Sequence, residues 1–291
     1  MSLACIDVGS NTIRLLVADS PDGRLREILT QRAFTAIGHT LRVENNRLPG
    51  KKVREVVEVV GQQAKMARKA GAENVRVVGT AAVREARNGK KLAEAIREST
   101  GLSMRVLSPQ EEAKLAFLGA TKTLGAPVEG EVAVVDVGGN STEIAVGTVA
   151  GGVEWSESFR IGSGFLTDSY MKSDPPSAFE LQAVRQHVAG VFEGLRVPHV
   201  DKAVAVGGSA SSLRRVVGAE LEYETLERSI RILASAPADE VAQRFELAPE
   251  RARLLPAGVL IFEELSNLLD QPLMIGNGGL REGVILTLLT R

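Results

Sequence analysis

Two short stretches of this chain set a carboxylate, glycines and small polar side chains in the same order. Asp7-Val8-Gly9-Ser10-Asn11-Thr12-Ile13-Arg14-Leu15-Leu16-Val17 lies over Asp136-Val137-Gly138-Gly139-Asn140-Ser141-Thr142-Glu143-Ile144-Ala145-Val146 when the sequence is shifted by 129 residues, and five of the eleven aligned positions are identical. Each copy reads as strand, tight D-x-G turn, strand. Glycine in such a turn permits positive φ and leaves no Cβ to hold a ligand off. Successive backbone N–H groups form a nest for an anion there. Ser10 and Asn11 in the first copy, and Gly139, Asn140, Ser141 and Thr142 in the second, are the loop donors. A carboxylate at the strand end cannot bind phosphate directly, but it can hold a divalent cation that does, as Mg²⁺ is held by one or two carboxylates and phosphate oxygens. Asp136 and Glu143 stand at the two ends of one hairpin and can reach one cation; Asp7 has the equivalent place in the first copy. Arg14 follows the first hairpin and Arg84 follows an apolar strand ending at Gly79. Arginine meets phosphate oxygens with two donors at once. Gly207-Gly208-Ser209 ends another apolar run, so Gly208 and Ser209 can close the far side of a phosphate site. Taken singly, each feature has a plainer reading: ordinary glycine hairpins, a solvent-facing Glu143, solvated arginines. The repeat, with an acid before each loop, favours phosphate.

Ser108-Pro109-Gln110-Glu111-Glu112 opens a helix. Ser at N-cap, Pro at N1 and Glu at N3 make a capping box, which gives Glu111 a structural task. Helix neighbours point about 100° apart, so Glu112 projects elsewhere. The plainer reading is that both acids only favour the helix N-terminus electrostatically.

The elements that position these residues alternate strand and helix, which means an α/β fold. Strands are expected at Leu3–Asp7, Ile13–Ala18, Val75–Val78, Met104–Leu107, Val132–Asp136, Thr142–Val146, Val153–Arg160, Lys202–Val206 and Leu273–Ile275. Helices are expected at Lys51–Ala70, Lys91–Thr100, Ser108–Leu124, Gly164–Met171, Ala178–Leu195, Ser209–Val217, Thr225–Ala234, Ala238–Phe245, Glu250–Leu269 and Leu280–Leu289. Gly125-Ala126-Pro127-Val128-Glu129-Gly130 reads as a linker or turn.

With 291 residues, 44% of them hydrophobic and 24% charged, the chain is globular, of one large or two ordinary domains. A net charge of −1 argues against a basic surface for duplex nucleic acid, and 4% aromatics against stacking platforms for single strands. Cys5, the single cysteine, sits in an apolar run and reads as a buried inert thiol. No segment approaches the roughly 20 apolar residues of a membrane helix. A cytoplasmic protein, with neither nucleic acid nor membrane as partner, is expected. His39, His187 and His199 are isolated and read as structural. The groups Lys51-Lys52-Arg54, Arg84-Arg87-Lys90-Lys91 and Arg214-Arg215 read as solvated helix faces, or in part as a path for a long anion.

The hairpins resemble those of the sugar-kinase/heat-shock-chaperone/actin superfamily. More narrowly, the whole chain resembles the exopolyphosphatase/guanosine pentaphosphatase (Ppx/GppA) family. The motifs are Ile6–Arg14, Gly79-Thr80-Ala81-Ala82-Val83-Arg84-Glu85-Ala86, Ser108–Ala113, Val135–Glu143, Val206–Ser209 and Gly279-Leu280-Arg281-Glu282-Gly283. The second hairpin departs from the usual GGGST at Asn140, a residue type that tolerates positive φ. The resemblance implies two ribonuclease-H-like (actin-like ATPase) domains with a phosphate-binding cleft between them. One is expected over residues 1–122 with the C-terminal helix 282–291, the other over 123–281. It implies Glu112 as general base, Arg84 as a further catalytic residue, and Mg²⁺ on Asp136, Glu143 and Asp7. It implies phosphate on Ser10, Asn11, Arg14, Gly139, Asn140, Ser141, Thr142, Gly208 and Ser209. A homodimer is expected.

The implied activity is Mg²⁺-dependent release of terminal orthophosphate from linear polyphosphate, or of the 5′-terminal phosphate of guanosine pentaphosphate (pppGpp). The rivals are an ATP-dependent small-molecule kinase and a nucleotide-binding filament or chaperone-like switch. A kinase must also bind adenine and an acceptor. The Glu-Glu helix start argues against the switch.

Overall fold

The computed structural model describes residues 1–125 and 128–289. It divides into two compact units, Met1–Gly119 with Leu280–Arg291, and Ala120–Gly279. The expected divisions were at 122/123 and 281/282. Ala126 and Pro127 of the expected linker lie outside the described residues, as do the last two positions of the expected C-terminal helix.

In the first unit β1 (Ser2–Val8), β2 (Thr12–Asp19) and β3 (Arg26–Phe34) form an antiparallel meander, followed by helices α1 (Ile37–Val43) and α2 (Gly50–Lys69). Then come β4 (Ala72–Gly79), α3 (Ala81–Glu85), α4 (Gly89–Thr100), β5 (Met104–Val106) and α5 (Pro109–Lys122). The sheet order is β3-β2-β1-β4-β5, and β4 and β5 run parallel to β1. β1 and β2 are nearly continuous apolar runs because both of their faces are covered. On α2, Val53, Val56, Val60, Ala64 and Ala67 recur at helical spacing and bury one stripe. α4 stops at Gly101, whose φ of 72° is the left-handed C-terminal conformation glycine adopts freely. β3 was not anticipated: it is a sheet edge with no fully buried residue, so it carries no apolar alternation.

The second unit repeats the plan. β6 (Val132–Val137), β7 (Thr142–Thr148) and β8 (Gly152–Phe159) form the meander, followed by α6 (Ser163–Tyr170) and α7 (Ala178–Phe192). Next are β9 (Lys202–Val206), α8 (Gly207–Val217), β10 (Glu220–Leu221), α9 (Tyr223–Leu233), α10 (Ala238–Arg244), α11 (Pro249–Leu269) and β11 (Leu273–Ile275). The order β8-β7-β6-β9-β11 matches the first unit strand for strand, with β10 added at the edge. α11 is buried on nearly every side and forms the spine of this unit's core.

The closing helix α12 (Leu280–Leu289) returns to the first unit. Leu280, Val284 and Ile285 join Leu3, Cys5, Leu16 and Leu107 in a small core. Gly283 lies so close to α5 that a Cβ would fall within 1.9 Å of the Leu115 carbonyl oxygen. Cys5 is fully buried, and burial pushes its thiol well above the ordinary range, as an inert core cysteine requires. Among the described residues no helix is long and apolar enough to cross a membrane.

Candidate active site

Both hairpin turns close in the same way. The Gly9 amide donates to the Thr12 carbonyl (3.1 Å) and the Gly138 amide to the Ser141 carbonyl (2.9 Å), at the sequence shift of 129. Neither glycine has positive φ; what each provides is room, since a Cβ would stand 3.0 Å from Thr12 O or 3.1 Å from Ser141 O. Asn140 is likewise absent from the described positive-φ residues, so it replaces the usual glycine without left-handed strain. This corrects the expectation that positive φ explains these positions.

The turn carbonyls are braced from behind. Asn11 O accepts from the Thr35 and Ala36 amides (3.0 and 3.1 Å), and Ser10 O from the Gly38 amide (2.8 Å). Gly138 O accepts from the Ser163 amide (3.0 Å), and Gly139 O from the Phe165 amide (2.9 Å). In a planar trans peptide, C=O and the next N–H point oppositely. Holding these carbonyls against the brace turns the amides of Asn11, Gly139 and Asn140 away from it, as an anion nest needs. Gly162 makes the second brace possible. A Cβ there would lie 2.6 to 2.8 Å from Gly139 C, Asn140 N and Gly138 O, all of them backbone atoms. Sequence reading passed over Gly162, because its partners are more than twenty residues away. Thr142 is fully buried and its hydroxyl donates to Ile161 O at 2.7 Å, which ties the hairpin to the brace.

The carboxylates differ between the two units. Asp136 and Glu143 are directly opposed partners across β6 and β7, which puts both side chains on one face of the sheet. Glu143 is 2% exposed and accepts from the Ser158 hydroxyl at 2.9 Å. Gly207, at φ +89°, leaves space for Asp136: a Cβ there would sit 2.2 Å from Asp136 Oδ1. In the first unit the partner opposite Asp7 is Arg14. Burial raises the Asp7 carboxyl above the ordinary carboxylate range, against the pull of Arg14 and Arg281. So Asp7 faces positive charge where Asp136 faces another acid.

The two adjacent glutamates separate as the capping box requires. The Glu111 amide donates to Ser108 Oγ (3.2 Å) and Glu111 Oε2 accepts from the Ser108 amide (2.9 Å). Glu111 also pairs with Arg105. Glu112 is 6% exposed, and Arg84 Nη1 donates to its Oε2 at 3.1 Å and to the Leu107 carbonyl at 2.7 Å. Arg84 is thereby fixed between the end of β5 and the start of α5, and it fixes the Glu112 carboxylate in turn. The Ser108 bonds and Arg105 hold the Glu111 carboxyl below its usual range, so its share of stability is complete above the unfolded pKa and is lost as pH falls through the folded value. Glu111→Gln keeps the box, and turnover and melting temperature should hardly change. Glu111→Ala should cost about 1 kcal/mol, a typical capping contribution, with activity kept; a thermal melt beside a phosphate-release assay checks both.

Similarity to known proteins decides the family. The family model described as "Ppx/GppA phosphatase family" matches residues 16–291. This chain belongs to the Ppx/GppA phosphatase family. Exopolyphosphatase 1 of Mycobacterium leprae is 28% identical over 303 residues, covering 98% of this chain and 89% of the relative. A guanosine-5′-triphosphate,3′-diphosphate pyrophosphatase of Vibrio atlanticus is 26% identical, covering 97% of this chain and 58% of the relative. The crystal structure of the Aquifex aeolicus Ppx/GppA family member superposes with a TM-score of 0.83 at 30% identity, covering 100% of this chain and 98% of that one. The two mixed sheets with their helices are the actin-like units of this family.

Within this Ppx/GppA chain the remaining expected residues fall as follows. Gly208 and Ser209 open α8, directly after β9, and the buried Ser209 Oγ has no hydrogen-bond partner among the described residues. Arg14 Nε donates to Thr12 Oγ1 at 3.1 Å, which lays its side chain along the first hairpin. Several cations of the basic groups serve the fold: Lys52 donates to Thr35 O (2.7 Å), Arg214 to Asn277 (2.7 Å) and Arg215 to Glu246 O (2.6 Å). His187 hydrogen-bonds the Tyr170 hydroxyl at 3.0 Å, a structural contact as expected.

Proposed function

We propose that this chain is an exopolyphosphatase, which removes the terminal orthophosphate of linear inorganic polyphosphate with Mg²⁺ present. The observation that carries the reading is the division of labour at the start of α5. Glu111 is consumed by the cap, while Glu112 is a nearly buried carboxylate held by Arg84. The activity of the M. leprae relative supports the substrate class.

In the proposed step, Glu112 takes a proton from a water whose oxygen attacks the terminal phosphorus. The bond from that phosphorus to its bridging oxygen breaks, and the shortened chain leaves with the bridging oxygen. Within the first unit the Asn11 amide and Ser10 are the donors for phosphate oxygens; within the second they are the Gly139 and Asn140 amides with Ser141 and Ser209. Arg14 and Arg84 offset negative charge on them.

Mg²⁺ fits the second hairpin. Asp136 and Glu143 are two hard oxygen donors on one face, and the missing Cβ of Gly207 leaves Asp136 Oδ1 its place. Asp7, matched to Arg14 and Arg281, suits a cation less, and we keep it as the anchor that orients Arg14. When bound, the metal neutralises phosphate charge.

The V. atlanticus relative favours a second reading, hydrolysis of pppGpp, which needs the same cleavage. Phosphate release compared across long polyphosphate, tripolyphosphate, pppGpp and ATP with Mg²⁺ tests both. Preference for long polyphosphate supports the proposal; turnover of pppGpp alone moves the assignment to the second reading.

A further inference from the structure

α11 and α8 approach closely at one point in the second unit. A Cβ built on Gly258 would stand 3.0 Å from both Cβ and Oγ of Ser209, and 3.8 Å from Cβ of Ser163. Gly258 lies inside a 21-residue helix and has no positive φ, so alanine would suit its backbone better. What the glycine provides is the approach itself. Ser209 is 1% exposed, and its buried Oγ has no partner among the described residues. A buried hydroxyl left unpaired is costly, and at the first turn of a helix, where backbone amides favour an anion, a phosphate oxygen would supply the missing partner.

We infer that Gly258 is a positioning residue for the phosphate site: its bare Cα lets the first turn of α8 seat at the depth where Ser209 meets phosphate. This rests on the reading of Ser209 as a phosphate contact. A methyl at 258 would occupy the space of Ser209 and move it by a few tenths of an ångström. The contact joins residues 49 positions apart, from a helix with no proposed contact to substrate.

The test is a four-protein comparison, wild type, Gly258→Ala, Ser209→Gly and the double variant, with kcat and KM for tripolyphosphate and Mg²⁺. Gly258→Ala should raise KM about 3- to 10-fold, the worth of one hydrogen bond, with kcat nearly kept. Ser209→Gly should do the same. The double variant should be no worse than Ser209→Gly, because that change removes the two atoms the methyl meets. Penalties that multiply, or a Gly258→Ala enzyme with wild-type KM, overturn the inference and leave the Ser209 reading standing. A Ser209→Gly enzyme with wild-type KM overturns the Ser209 reading itself. If Gly258→Ala alone does not fold, the double variant decides: restored folding with the KM of Ser209→Gly supports the inference, and failure to fold again overturns it.

Discussion

Glu112→Gln should lower kcat on polyphosphate by about 10² to 10⁴, the usual contribution of a positioned general base. Gln keeps the shape of the side chain, so Arg84 retains an acceptor at the place where Oε2 now sits, 3.1 Å from Nη1. The Leu107 carbonyl still holds Arg84 from its other side. The fold should therefore survive, and KM should stay level or fall slightly, because a negative charge near phosphate has gone. This signature is kinetic, whereas the effect expected of Glu111→Ala is thermal. Should Glu112→Gln turn over normally, another group positions the water and the assignment to α5 is wrong.

Asp136→Asn and Glu143→Gln should each raise the Mg²⁺ concentration needed for half-maximal rate by at least about tenfold. Loss of an outer-shell partner alone typically costs about 10–100-fold in metal affinity, and these changes remove a charged oxygen directly. Both substitutions preserve volume, and after Glu143→Gln the amide oxygen would still accept from the Ser158 hydroxyl, which now lies 2.9 Å from Glu143 Oε1. The rate at saturating Mg²⁺ should fall too. Asp7→Asn should leave the Mg²⁺ titration nearly unmoved, since Asp7 faces Arg14 rather than a second acid. Wild-type Mg²⁺ titrations for both Asp136→Asn and Glu143→Gln would remove the metal from the second hairpin.

Much of this site was legible because it is local. The D-V-G turns carry their own geometry in a dozen residues, and their repetition identified them without knowledge of the strands around them. The capping box was legible for the same reason, since Ser108 and Glu111 are three residues apart. What the sequence concealed was non-local or compositional. β3 is an edge strand with no fully buried residue, so period-2 burial never marks it. Gly162 braces Gly138 to Asn140, and Gly258 meets Ser209, through contacts that only the folded chain creates. The unit boundary falls at Gly119/Ala120, inside the last turn of α5, whereas the Pro/Gly signal that suggested a linker follows that helix. The pairing of Asp7 with Arg14 against that of Asp136 with Glu143 was present in the aligned repeat, but it acquires meaning from the strand register, which makes each pair directly opposed. Positive φ was the wrong reason for the right glycines: at Gly9 and Gly138 a Cβ would crowd the carbonyl oxygen three residues on.

The most direct test of the central claim is the ³¹P NMR time course of long-chain polyphosphate digested by the wild-type chain with Mg²⁺. Attack on the terminal phosphorus predicts an orthophosphate signal from the earliest time points, growing in step with the loss of interior-phosphorus signal as the chains shorten. Fragments of intermediate length without early orthophosphate, or an unchanged polymer spectrum, would contradict it.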